Sequence, residues 1–526
     1  MINLRRILLT AVSGFSIVSG ANAADLSPEQ IDGYAKQTIS AFHLTGLSLT
    51  VVSRESILFQ KSYGLRDVNG KTPVDTDTTF PFGSIGKAFT TAALAMLVDE
   101  GKMAWNDPVK KYIPEFEMSD PYITAEFSVK DLVTHRSGLP LGAGDLLVFP
   151  DADPGVKDIL AAMKHIPPAT SFRSEFAYDN QLYVIAGEVL SRIDQKPWAD
   201  AIASRLFKPL GMKSCDAKPT RAARAKNTVT QHTRAPGDVA ATPLDPRYIL
   251  ADATAPAGGI SCSIADLSKW AQFWLRGAKT QSGKQLISTE QASELWTGVT
   301  PKAARPDMTE RAGTHFSLYG LGWDLSDFYG ELLVSHGGGL LGAVSFFGML
   351  PEKDIAVFLT TNDFVPYVSG LGVQILADAA APENDTTWIS YAAKNYDNYR
   401  TNAGKDSGES AVNDIAVAPL RPLADYAGVY VDPWYGKVTI SVSGDRLAID
   451  MSRSEILDAP LTSLGDNKFV ARWPDRTINA DAYVMFSEEN GAISGMTMKA
   501  VSKTADFSFD FHDLHFVKAA DAAAAR

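Results

Sequence analysis

Cysteine is nearly absent from this chain: Cys215 and Cys262 are the only two in 526 residues. That excludes a disulfide-framework protein, and no CxxC pair marks a thiolate metal site. The two thiols can bridge or stay free, and the sequence leaves both open. Positive charge is also scarce, with 49 Lys and Arg against 61 Asp and Glu and a net charge of −12. A nucleic-acid partner is therefore not expected, because a phosphate binder needs a cationic face. Histidine is sparse too, and none of the eight stands in an H-E-x-x-H pattern. His512 and His515, in a strand-like region, fall on opposite faces at that spacing, so neither a metal nor another cofactor is expected. Long apolar runs are missing. The run from Ile7 to Val18 is shorter than the roughly 20 residues a membrane span needs. With Arg5 and Arg6 before it and Ala21-Asn22-Ala23 after it, this run reads as a secretory signal peptide over 1–23, giving a periplasmic or secreted protein. No cysteine follows the cut, so a lipid anchor is not expected. There is no internal repeat, and only the Ala-rich end after Lys518 is of low complexity.

What is present is ordinary globular composition, 45% hydrophobic and 21% charged, long enough for more than one domain. Apolar runs at Leu47 to Val52 and Ile57 to Gly64 predict an N-terminal hairpin. Far downstream, Glu331 to Ser335, Ala343 to Leu350 and Ile355 to Thr361 predict three further strands. Between them lie helical patterns at Ser84 to Glu100, Ser128 to His135, Tyr178 to Ile193, Trp198 to Leu206 and Ile264 to Leu275. Strands from both ends with helices between them predict an α+β domain, 24–378, with one antiparallel sheet backed by a helical lobe. Residues 379–422 are polar and read as a linker with one helix near Trp388 to Tyr399. From 423 to 526, short alternating strands with turns such as Glu489-Asn490-Gly491 predict a small all-β barrel.

Three stretches carry residues suited to chemistry. Ser84 stands three residues before Lys87 at a helix start, which puts a hydroxyl beside an amine that desolvation can turn into its base. No other serine in the chain has a lysine at that spacing. The bland alternative is a Ser N-cap followed by a solvent-facing lysine. Tyr178 and Asn180, just before a helix, offer a phenol for proton transfer and an amide to hold a lysine and a carbonyl. His336-Gly337-Gly338-Gly339 ends a predicted strand, where Gly339 N–H can join that of Ser84 around an oxyanion. An α/β-hydrolase is excluded, because no G-x-S-x-G elbow occurs and Phe82 stands where its first glycine belongs.

In this order and at these separations, the three elements resemble the serine hydrolases related to class C β-lactamases and penicillin-binding proteins. Leu132 to Pro140 and Pro256 to Ser263 also look like that family, as scaffold segments. The resemblance covers about Leu26 to Asp378 and implies a five-stranded antiparallel sheet flanked by helices, with an acyl-enzyme mechanism. It implies Ser84 as nucleophile, Lys87 and Tyr178 as proton-transfer pair, and Asn180, His336, Gly338 and Gly339 as substrate-binding groups. The family's β-lactamases carry Lys-Thr-Gly where this chain has His336-Gly337-Gly338, which resembles the family's peptidases and esterases instead. The tail from Tyr426 looks like the lipocalin-like appendage of some family peptidases, where a structural or oligomerisation role without catalytic groups is expected. The function implied is hydrolysis of amide bonds in short or linearised peptides, D-amino-acid-containing or microcystin-like. A carboxylesterase of the same fold and a non-catalytic penicillin-recognition protein are the alternatives. His336 is expected to titrate near neutrality.

Overall fold

A computed structural model describes residues 26–383, 385–413 and 416–520. The signal peptide expected over 1–23 and its cleavage site lie outside the described residues. The main sheet holds β1 (Gly46–Val52), β2 (Ile57–Gly64), β3 (Thr300–Lys302), β4 (Ser317–Tyr319), β5 (Asp324–Phe328), β6 (Glu331–Leu340), β7 (Ala343–Leu350) and β8 (Ile355–Thr361). Its order is β2-β1-β8-β7-β6-β5-β4-β3, antiparallel throughout. The five expected strands form one half, and three short strands extend the sheet beyond β6. These additions are short and mostly polar, so they carry no alternating apolar signal.

Every residue of β1 and β8 is buried, because helices cover both faces of the sheet. Along β8, Val357 and Leu359 face α1 (Pro28–Phe42), α5 (Gly370–Ala380) and α6 (Trp388–Asn413), while Ala356 and Phe358 face the helical lobe. Within that lobe run α2 (Gly86–Asp99), α3 (Gln181–Asp194) and α4 (Ile264–Leu275). Phe89 of α2 stacks on Trp270 of α4, ring centroids 3.7 Å apart. The stretch 379–422, read as a polar linker with one helix near Trp388 to Tyr399, carries a helix that starts at Trp388 and runs on to Asn413, 26 residues in all. Trp388, Ile389, Ala392 and Tyr396 bury its first turns against Phe42 and Leu371. Cys215 and Cys262 form a disulfide. Cys262 lies opposite Phe80 in a two-stranded ladder, so the bridge secures the segment that leads into Ser84.

Residues 428–518 form a closed eight-stranded barrel, with Tyr426, Phe469 and Phe486 packed together in its core. After β9 (Gly428–Asp432), β10 (Gly436–Ser443), β11 (Arg446–Asp450), β12 (Ala459–Gly465), β13 (Lys468–Ala471) and β14 (Ala482–Glu489), its last two strands are β15 (Ala492–Ala500) and β16 (His515–Lys518). The connection between them returns to the helical lobe. Among the described residues, no helix is long and apolar enough to cross a membrane.

Candidate active site

Ser84 sits in a single 3-10 turn, Gly83–Ile85, that feeds straight into α2. Gly83 has φ +59°, and a Cβ there would lie 2.8 Å from the Gly339 nitrogen. The turn therefore needs glycine twice over: for its left-handed backbone and for the close passage of β6. A Cβ on Gly338 would lie 1.9 Å from the Phe82 carbonyl oxygen. Gly338 is buried there, so it locks the nucleophile turn to the sheet, and Gly337 and Gly339 face the cavity in its stead. β6 was expected to stop at Ser335. Pairing of His336 to Gly339 with Val344 to Phe347 carries it through the glycines despite their poor strand propensity.

α2 is buried along almost its whole length, Lys87 included. An ammonium in such a place needs partners. Lys87 Nζ donates to Asn180 Oδ1 at 2.7 Å, to the Ala257 carbonyl at 2.7 Å and to Ser84 Oγ at 3.2 Å. The faces of Tyr178 and Tyr183 lie 4.6 Å and 5.2 Å from it. Burial pulls Lys87 down to about 7, against the opposing charges of Asp145 and Asp179. Near neutrality it is therefore a base beside a hydroxyl rather than a fixed cation. Burial also drives the Tyr178 phenol well above its usual range, with Ser84 as its nearest hydrogen-bonding influence, so Tyr178 is a protonated acid in this site.

The structure thus brings Ser84, Lys87, Tyr178 and Asn180 together, with Gly339 against the Ser84 turn. His336 also lines the cavity, but in another state than expected. Burial pulls it to about 4, Lys87 adding to the effect and Asp324 opposing it. Its Nδ1 lies 2.6 Å from the Gly337 carbonyl, which only an N–H satisfies, and its Nε2 lies 3.1 Å from the Tyr319 hydroxyl. Both nitrogens of this neutral ring are engaged by the protein. The expected titration near neutrality is corrected accordingly.

Several residues at the site were not singled out from the sequence. Asp145, fully buried, accepts from Asn180 Nδ2 at 2.9 Å. Asp179 is pushed to about 8 by burial and by Asp145, and its Oδ2 has no partner. His135 packs against Tyr178 at a tilt of 32°, ring centroids 4.1 Å apart, and is kept neutral by burial. It belongs to the Leu132 to Pro140 stretch read as scaffold, as Ala257 belongs to the Pro256 to Ser263 stretch. Those resemblances were the available signal for both. The cavity holds about 350 Å³, and Leu250, Leu340, Leu341 and Phe507 give it an apolar wall. Phe507, Asp506 and Ser508 come from the barrel domain, for which a structural or oligomerisation role without catalytic groups is expected from the sequence.

A serine, a buried lysine three residues on and a tyrosine thus lie together between a helical lobe and an antiparallel sheet. Residues 31–381 match the family described as Beta-lactamase, and the chain belongs to that family. Residues 416–518 match a domain of unknown function, DUF3471. The chain is similar to unguisins hydrolase ungD' of Aspergillus campestris, 26% identical over 443 residues, covering 80% of this chain and 79% of that one. It is also similar to protein flp of Staphylococcus aureus strain MW2, 25% identical over 364 residues, covering 66% of this chain and 67% of the other. Among solved structures, the octameric penicillin-binding protein homologue from Pyrococcus abyssi aligns over 94% of this chain and all of its own, with TM-score 0.57 at 19% identity, a likeness of fold.

Proposed function

We propose that the protein is an exported serine hydrolase that forms an acyl-enzyme on Ser84 and cleaves amide bonds in short or linearised peptides. The observation that carries this reading is the buried Lys87 amine, held at about 7 and 3.2 Å from Ser84 Oγ. Neutral Lys87 takes the hydroxyl proton as Ser84 Oγ attacks the scissile carbonyl. The N–H groups of Ser84 and Gly339 are the donors best placed for the oxyanion. As the C–N bond breaks, the Tyr178 phenol gives its proton to the leaving amine and regains one from Lys87. Water then attacks the acyl carbon and gives a proton to neutral Lys87, the pair passes that proton to Ser84 Oγ as the acyl C–O bond breaks, and the acid product leaves.

Hydrolysis is supported by the name of the unguisins hydrolase, and a peptidase or esterase rather than a β-lactamase by His336-Gly337-Gly338 standing in place of Lys-Thr-Gly. D-amino-acid-containing or microcystin-like peptides are the substrates proposed. The neutral, engaged His336 favours a second reading, a carboxylesterase, because it offers no positive charge to a substrate carboxylate. A panel of p-nitrophenyl esters, D- and L-peptide amides and blocked tetrapeptides separates the two. Turnover of amides supports the peptidase reading, and turnover of esters alone supports the esterase. Binding of penicillin with no turnover of either overturns both. Export rests on residues 1–23, and recovery of the full-length chain in the cytoplasm would contradict it.

A further inference from the structure

Asp145 sits one step behind the catalytic pair and is held by two domains. Its Oδ2 accepts from Asn180 Nδ2 at 2.9 Å, and Asn180 Oδ1 accepts from Lys87. The same Oδ2 accepts from the hydroxyl of Ser508, 2.8 Å away and 363 residues later in the chain. Gln181 Nε2 donates to Oδ1 at 3.2 Å. The backbone around Asp145 is clamped by the same barrel connection, because the fully buried Asp510 accepts from Gly144 N at 2.8 Å and Leu146 N at 3.0 Å. The two segments touch so closely that a Cβ on Gly142 would lie 2.9 Å from both the ring and the carbonyl of Phe507.

We propose that Ser508 and Asp510 of the barrel domain are positioning residues for the hydrolytic site, Ser508 through its hydrogen bond to the Asp145 carboxylate and Asp510 by clamping the backbone around it, so that Asn180 presents its carbonyl to Lys87. This rests on the Ser84 reading above. An ionised Asp145 fixes which way the Asn180 amide points, since a carboxylate accepts only the amide N–H and leaves the carbonyl for the lysine. Burial opposes that charge and brings Asp145 to about 6, while Asn180, Ser508 and Lys87 favour it. The charged or titratable groups facing Asp145 are Lys87, Tyr178, Asp179, Asp506 and Asp510. The competent form thus has Lys87 neutral and Asp145 ionised, so activity climbs as pH rises through about 6 to 7. Losing the Ser508 hydroxyl favours neutral Asp145 and moves that climb to higher pH.

The test is the rate of Ser84 labelling by a fluorophosphonate in full-length protein, followed from pH 5 to 9. Ser508→Ala should lower the plateau rate about tenfold, as expected for one lost hydrogen bond to a charged group, and shift the midpoint upward by about half a unit. Ser508→Thr keeps the hydroxyl and should restore both. Asp510→Asn, which removes one acceptor from the backbone clamp but no donor from Asp145, should lower the plateau rate without the upward shift of the midpoint. Wild-type profiles in Ser508→Ala overturn the proposal, as does a lower rate with an unmoved midpoint in that variant, which would mark a packing role. If wild type is not labelled at Ser84, the underlying reading fails instead, so the two failures are distinguishable.

Discussion

Lys87 carries two opposed demands, burial that expels its proton and carboxylates that retain it, and their balance near 7 makes it the group whose titration governs the rate. Its pKa is depressed by burial, so the reactive amine appears as pH rises through about 7, and kcat/KM should rise with it. A profile falling between pH 6 and 8 would exclude a neutral-amine base. His336, held near 4, should add no limb at its ordinary pKa. Tyr178→Phe keeps the ring that packs against His135 and removes the proton donor, so kcat should fall by roughly 10²- to 10⁴-fold with little change in melting temperature. A large loss of Tm with kcat retained would show a packing tyrosine. The Ser84 and Lys87 pair was legible because one helical turn separates them. Asp145 was not, since its partner Ser508 lies 363 residues away and no local spacing encodes that contact.

Between the helical lobe and the sheet, the nucleophile turn is held by glycines of β6 and by the disulfide. Gly338→Ala drives a methyl into the Phe82 carbonyl oxygen and should cost about 1–3 kcal/mol, lowering Tm and the labelling of Ser84 together. Gly337→Ala meets nothing within 4 Å and should keep the wild-type Tm. Similar Tm losses in both would mean general strand weakening rather than a close approach. Cys262→Ser opens a bridge across 47 residues and should destabilise the fold by roughly 3–4 kcal/mol, read as a lower denaturation midpoint. The five central strands were legible from their apolar runs. β6 ran further than expected because cross-strand pairing outweighed three glycines. α6 was legible only where Trp388, Ile389, Ala392 and Tyr396 recur at helical spacing, since its later turns are polar.

At the scale of the whole chain, the barrel is a wall of the active site rather than an appendage. The polar composition of 379–422 suggested separable domains, yet the segment between β15 and β16 brings Phe507 and Ser508 to the cavity that Ser84 opens into. An influence on substrate access is expected from the sequence, but these contacts are not legible in it, because Ser508 and Asp510 meet residues 144–146, which lie 363 to 366 positions earlier. The account stands or falls on the nucleophile. Full-length protein treated with a fluorophosphonate and mapped by mass spectrometry should carry one adduct, on Ser84, with both adduct and turnover lost in Ser84→Ala. An adduct on another serine, or near-normal turnover in Ser84→Ala, would contradict the mechanism.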